Sequence, residues 1–247
     1  MMIDQRRKTP IETRVRPLVA RTVFCAVACV LALAGGCTGP EFRQYEGGTM
    51  GTYYRATARC PQDVSSVIRD ELRAVNQEMS TYLADSALSR FNAAPVGSWW
   101  DVPRPLAAVV AAAQELSRES AGAFDVTVGP LVNLWGFGPR SDPAGASTEG
   151  SAERRIPDAT ELDAVRGLVG FEKLDVRMEP PQLRKSADLY VDLSAIAKGH
   201  GVDRVAERLA DVGCGDFLVD IGGEVRAAGR NPKGRRWRIG VEEPDPD

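Results

Sequence analysis

A single apolar run, Val23–Gly36 (VFCAVACVLALAGG), approaches the length of a bilayer span, and no comparable run follows it in this chain of 247 residues. A membrane-crossing helix needs about 20 consecutive apolar residues, so a polytopic membrane fold is excluded. Everything after the run has to close its own core in water. Six basic residues, Arg6, Arg7, Lys8, Arg14, Arg16 and Arg21, precede it, and it stops at Cys37. A positive head, a short apolar middle and small residues before a cut have the form of a secretory signal.

The end of the run, LALAGGC, resembles a bacterial lipobox, in which the signal is cut before a cysteine that then carries lipid. Ala34 stands where the usual leucine would be, three positions before Cys37. Residues 1–36 are therefore read as signal peptide, Cys37 as the lipidated residue, and 37–45 as a polar tether. An uncleaved anchor or an ordinary signal peptide is the competing reading. Cleavage would leave 25 basic against 32 acidic side chains, a net of −7 in place of the whole-chain −3. Neither balance gives the basic footprint of a nucleic-acid binder, and an acidic body beside an anionic membrane depends on its lipid to stay there. Cys25 and Cys29 fall in the signal, which leaves Cys60 and Cys214. They could pair in an oxidising compartment, but two distant cysteines make no disulfide framework, and separate thiols are expected.

With 43% hydrophobic and 26% charged residues, the remainder has enough apolar material for one sizeable core. Residues 50–58 (MGTYYRATA) read as a strand. Val64, Val67, Ile68, Leu72, Val75 and Met79 follow helical spacing after an Asp63 cap, and a second helix is expected over 105–120 with Gly122 at its stop. Residues 139–160 are polar and rich in Pro, Gly and Ser, a surface excursion. Further on, LYVDLS reads as a strand, AIAKGHG opens a helix ending at Gly213, FLVDIGGEVRAAG reads as a strand with a glycine bulge, and WRIGVEEP as another strand after a turn at 231–234. The pattern is mixed α and β.

Three places carry chemistry. Between Asp192 and Gly201 an extended segment turns into a helix beside Lys198, and free N–H groups at a helix start suit a phosphate or pyrophosphate. A tight turn whose glycines allow close packing explains the same residues equally well. Asp125 sits on a glycine-led turn (Gly122-Ala123-Phe124-Asp125), where an aspartate is more commonly a cap. Asp220-Ile221-Gly222-Gly223-Glu224 interrupts a strand with two glycines, for which a bulge is the simpler account. His200 is the only histidine, which excludes a histidine-based zinc site and argues against a Ser-His-Asp triad. Hard-cation chemistry on carboxylate and carbonyl oxygens stays open, favouring magnesium over a transition metal.

The stretch GAFDVTVGPLVNLWGFGP (122–139) resembles the signature of the FAD:protein FMN transferase family, the ApbE flavin transferases. Four further blocks agree in order: MGTYY at Met50, MSTYLADSALSRFN at Met79, YVDLSAIAKGHGVD at Tyr190 and LVDIGGEVRAAG at Leu218. The similarity runs from about residue 46 to residue 247, and many members are lipoproteins on the periplasmic face of the bacterial membrane. The resemblance implies a single α+β domain of the ApbE type, related to the T-fold, with an FAD cleft between sheet and helices. It implies FAD contacts at Met50, Tyr82, Ala123, Phe124, Asp125, Asp192 and Lys198, and a magnesium ligand at Ala195 through its backbone carbonyl. The implied reaction is magnesium-dependent transfer of FMN from FAD to a Thr or Ser of an acceptor flavoprotein, such as a subunit of a membrane redox complex.

Family members continue past the point at which this chain stops, and their later part supplies an acidic D-x-x-x-T pair to the metal. The chain is therefore expected to be a partial product with an incomplete metal site. FAD hydrolysis to FMN and AMP, or flavin binding without catalysis, are the alternatives.

Overall fold

Strand β1 (Phe42–Thr49) is the first element in the computed structural model, which describes residues 40–141, 147–148 and 156–241. The signal region, Cys37, most of the 139–160 excursion and the last six residues lie outside the described residues. β1 begins inside the stretch expected to be a tether. Its sequence, FRQYEGGT, lacks apolar alternation because one face is exposed and two glycines interrupt it. It pairs antiparallel with β2 (Thr52–Arg59) across a two-residue turn, Met50-Gly51, with positive φ at both positions (47° and 70°). Met50 and Gly51 thus form the hairpin turn and not the start of a strand. Two left-handed residues match the twist of the flanking strands.

Helix α1 (Ser65–Met79) follows, buried along Ile68, Leu72, Val75 and Met79 as its spacing predicts. Asp63 lies just ahead of the cap position and accepts hydrogen bonds from the Ser65 N–H and hydroxyl. The short α2 (Ala87–Asn92) is capped by Ser86. Strand β3 (Trp100–Asp101) leads into α3 (Arg104–Glu119), whose end is a Schellman motif: Gly122 N–H to Ser117 O at 2.8 Å and Ala121 N–H to Arg118 O at 3.2 Å. The left-handed position here is Ala121, with Gly122 after it (φ 53° and 84°). Next come α4 (Gly129–Leu134), the paired two-residue strands β4 (Arg140–Ser141) and β5 (Ser147–Thr148), and α5 (Ala159–Arg166), the last closed by an Asp158/Glu161 capping box. β6 (Leu174–Met178) and β7 (Pro181–Lys185) form a hairpin, α6 spans Ala197–Asp211, and β8 (Asp216–Ile221) pairs with β9 (Glu224–Ala228).

The larger sheet runs β1-β2-β8-β9 and the smaller β3-β7-β6, both antiparallel throughout. The first packs on α6 and the first half of α1; the second packs on α2 and α3 with Val75 and Met79 from the second half of α1. Helix α1 therefore contributes to both cores, and Met50 packs against both.

Four further sequence expectations change. Gly222-Gly223 is the turn of the β8–β9 hairpin, with Ile221 opposite Glu224 and φ of 54° and 97° at the glycines, and not a bulge in one long strand. Residues 189–193 form no ladder: Leu189, Val191 and Leu193 alternate inward, which imitates a strand, while the backbone finds its partners elsewhere. Residues 237–241 also lack strand pairing; Trp237 is anchored by its Nε1–H to Ala228 O, while Ile239 and Val241 are exposed. Finally, Cys60 and Cys214 are joined in a disulfide. They follow β2 and precede β8, neighbouring strands in which Arg59 stands opposite Asp216, so the sheet register brings together residues 154 apart in sequence. The Arg59–Asp216 ion pair sits beside the bond.

Cys214 also occupies the last position of the Schellman motif that ends α6, its N–H donating to Leu209 O at 2.9 Å after left-handed Gly213. The crosslink thus fixes the helix end to the sheet. Replacing both cysteines by alanine should lower unfolding free energy by about 2–5 kcal/mol, read as a lower urea midpoint. A midpoint equal to that of the unmutated oxidised chain would contradict this.

Candidate functional site

A cleft of about 310 Å³ opens where the β1–β2 turn, the end of α1, the 80–83 turn and the start of α6 converge. Met50, Tyr82, Ser194, Ala197 and Lys198 line it, with Val75 and Met79 as its apolar floor. Met50 holds a left-handed backbone, a conformation costing a non-glycine residue roughly 1–2 kcal/mol. Its side chain reaches α6, where a Cβ on Gly201 would lie 2.9 Å from Met50 Cε. Strain of this kind gathers at sites where the surroundings dictate the backbone.

Tyr82 is placed by a set of serines. Ser80 Oγ accepts from the N–H groups of Tyr82 and Leu83 at 3.1 and 3.2 Å, and the hydroxyls of Ser86 and Ser89 donate to Ser80 O at 2.6 and 3.1 Å. The phenol then donates to Phe137 O at 2.9 Å. Asp192 is buried, its Oδ1 accepting from the Ser194 N–H at 2.8 Å and from the Ser194 hydroxyl. Helix α6 begins at Ala197 without a side-chain cap. That leaves its positive end facing the cleft beside Lys198, an arrangement suited to an anion. The Lys198 ammonium lies 3.3 Å from Gly222 O and 3.5 Å from Glu224 Oε1, at the tip of the β8–β9 hairpin.

Ala123, Phe124 and Asp125 are not among the cleft's lining residues. Phe124 packs on the core around α3. Asp125 takes up both its oxygens locally: Oδ1 accepts from the Thr127 N–H and hydroxyl at 2.7 Å each, and Oδ2 from the Phe171 N–H at 3.0 Å. The two glycine-flanked stretches nevertheless touch, since the Asp192 N–H donates to Val126 O at 2.8 Å.

A family model described as ApbE family matches residues 50–247. This chain belongs to the ApbE family. It is 42% identical to the FAD:protein FMN transferase of Vibrio cholerae over 92% of this chain and 66% of that one. The corresponding figures for the Haemophilus influenzae protein of that name are 38%, 89% and 64%, and for that of Escherichia coli K12 37%, 83% and 58%. The chain thus spans 58–66% of the length of these curated relatives. The solved flavin transferase ApbE from Vibrio cholerae superposes with a TM-score of 0.75 at 42% identity, covering 83% of this chain and 65% of that structure. The apo flavinyl transferase ApbE of Pseudomonas stutzeri gives 0.70 at 36% identity, covering 82% and 66%. The mixed α and β architecture is therefore that of ApbE structures.

Of the residues that the ApbE resemblance assigns to FAD, the structure brings Met50, Tyr82 and Lys198 into one cleft and ties Asp192 to it through Ser194. The magnesium assignment does not assemble in the same way. Ala195 brings one neutral carbonyl, the Asp192 Oδ1 is already engaged, and Asp220 Oδ1 accepts from the Gly223 N–H at 2.9 Å to hold the hairpin turn. Among the described residues no three His, Cys, Asp or Glu side chains gather around a point that could hold a metal. Magnesium prefers six oxygens, several of them commonly water, around one or two carboxylates. The described residues do not make such a site.

Sequence reasoning missed Tyr190. It is half-buried, and burial, then the Asp192 carboxylate and Tyr82, hold its phenol above the usual value. A Cβ on Gly129 would come within 2.3 Å of its ring, which accounts for the glycine at the start of α4. The ion-pair layer behind the cleft was also missed. Arg204 on α6 bonds Glu71 Oε2 at 2.7 Å and Glu78 Oε2 at 2.8 Å, both on α1. Burial nonetheless raises the Glu78 carboxyl, outweighing Arg204.

His200 lies one turn before Arg204, and its Nε2 is buried with no hydrogen-bond partner among the described residues. Burial, reinforced by Arg204 and opposed by Asp203 and Glu207, holds its pKa below 6.5. Between the folded and unfolded values the unfolded chain binds more protons, so stability falls as pH drops through that window. A His200→Gln variant should lose less stability than the unmutated chain between about pH 7 and about pH 5. Urea midpoints at each pH measure this; parallel pH profiles would contradict it.

Proposed function

We propose that the cleft binds FAD and that the protein transfers FMN from it to a Thr or Ser hydroxyl of an acceptor protein, with lipid at Cys37 holding it on the periplasmic face of the membrane. The observation that carries this reading is the convergence of Met50, Tyr82 and Lys198 at the uncapped start of α6, with buried Asp192 alongside. Apolar Met50, Val75 and Met79 suit a flat ring system, and the helix start with Lys198 suits the pyrophosphate. In the transfer the acceptor oxygen forms a bond to the FMN phosphorus, the bond from that phosphorus to the bridging oxygen breaks, AMP departs, and the hydroxyl proton passes to solvent. What these residues contribute is alignment and charge: a phosphorus and a hydroxyl held in line gain most of their rate from positioning.

Magnesium dependence rests on the ApbE resemblance, with Ala195 as the ligand assigned within the described residues. A protein acceptor agrees with the names of the relatives, and a flavoprotein as that acceptor rests on the ApbE resemblance. The Cys60–Cys214 disulfide supports an oxidising compartment, where such bonds persist.

Titrating the purified chain with FAD by calorimetry should give saturable binding. Asp192→Ala should weaken it by about 1.5–3 kcal/mol, the worth of a hydrogen bond to a charged group. Incubation with FAD, magnesium and a threonine-bearing peptide, followed by in-gel flavin fluorescence, reads transfer. Covalent labelling of the peptide supports the reading, and a folded chain that binds no FAD overturns it. Separately, Cys37→Ala should release the protein from membranes or stall its processing; unchanged attachment and mass would refute lipidation.

A further inference from the structure

The segment that carries Asp192 and Ser194 to the cleft has no strand partner, and one side chain away from the cleft supplies what a partner would. The carboxamide of Asn92, at the end of α2, donates from Nδ2 to Val191 O at 2.9 Å and accepts at Oδ1 from the Val191 N–H at 2.8 Å. It therefore satisfies both backbone groups of the residue directly before Asp192. The carbonyl of Asn92 in turn accepts from Lys185 Nζ at 2.6 Å. Lys185 is only 2% exposed, with its ammonium 6.0 Å from the centre of the Phe91 ring. Burying an ammonium is expensive, and a methionine would fill similar space without that cost. What the lysine adds over a methionine is a directed bond, and that bond is aimed at Asn92.

We propose that Asn92 is a positioning residue for the FAD site, with Lys185 as its buried anchor. The carboxamide fixes the backbone of Val191, and so fixes where the Asp192 carboxylate and the Ser194 hydroxyl stand. On the far side the Asp192 N–H is held by Val126 O, so the segment is gripped from two directions. Asn92 touches no ligand in this account and acts only through residues 191–194. The role rests on the FAD reading above, and the test separates the two.

A merely structural role and a positioning role differ in a double-mutant cycle. Asn92→Ala should weaken FAD binding about ten-fold in the unmutated background, the worth of one to two neutral hydrogen bonds. In an Asp192→Ala background the same substitution should change the affinity less than about two-fold, because the carboxylate it positions is gone and the Ser194 hydroxyl has lost the acceptor that holds it. Hydrogen exchange read by mass spectrometry should rise in peptides covering 189–196 while protection of β2 and β8 stays unchanged. Should Asn92→Ala fail to fold, Asn92→Asp keeps the size and one acceptor but loses the donor to Val191 O, and it should move both readouts in the same direction. Equal losses of affinity in both backgrounds, or unchanged exchange over 189–196, overturn the proposal. An unmutated chain that takes up no FAD removes the FAD reading and the role in it together. The exchange data still decide whether Asn92 holds the segment.

Discussion

The contact between Met50 and Gly201 ties the β1–β2 turn to the first turns of α6 at the edge of the cleft. Met50 sits in a left-handed turn at the corner of the larger sheet, packs on both apolar clusters and lines the cleft, while Gly201 leaves room for it on the first turns of α6. Any side chain at 201 would push the sulfur end of Met50 away from the helix start. Alternative residues at 50 divide the roles: asparagine suits the turn better but cannot fill the two cores. The strain at Met50 is thus tolerated because packing on three sides determines it.

The cleft inherits its geometry from this corner. The larger sheet with α6 supplies a helix start and a lysine; the smaller sheet with α2 and α3 supplies the 189–193 segment and the neighbouring Asp125 loop. Each side has its own core, and α1 runs through both. A site built between two cores can be rigid on each side and still be disturbed by anything that shifts one core against the other. That is why polar clamps matter in it: the Ser80–Ser86–Ser89 set fixes Tyr82, and the Asn92 carboxamide fixes Val191. Each clamp replaces with side-chain bonds the backbone pairing that the loop lacks.

Legibility in the sequence followed from how local each determinant is. Helices α1, α3 and α6 were legible because their buried residues recur at helical spacing and left-handed residues close α3 and α6. The 189–193 segment was misread because Leu189, Val191 and Leu193 alternate as a strand would, while its hydrogen bonds go to Asn92 and Val126, which no periodicity reveals. The disulfide was invisible for the same reason, since its proximity exists only in the register of β2 against β8. Of the residues that the resemblance assigns to FAD, the structure brings Met50, Tyr82 and Lys198 into one cleft and ties Asp192 to it through Ser194. Tyr190, Asn92 and the serines gave no signal because each meets a partner distant in sequence or sits in a turn without a periodic pattern.

Asp125 shows how a signature residue and a cleft residue can differ. Both its oxygens serve the chain, binding Thr127 and the Phe171 N–H, while Thr127 in turn accepts from the Gly170 N–H at 2.8 Å. The carboxylate thereby joins the turn after α3 to the 3-10 turn ahead of β6. The same turn presents Val126 O to the Asp192 N–H. A loss of the Asp125 carboxylate would free Phe171 and Thr127 first and reach Asp192 only through Val126. The chemistry of the signature therefore begins as folding chemistry: it holds the backbone carbonyl against which Asp192, tied to the cleft through Ser194, is set.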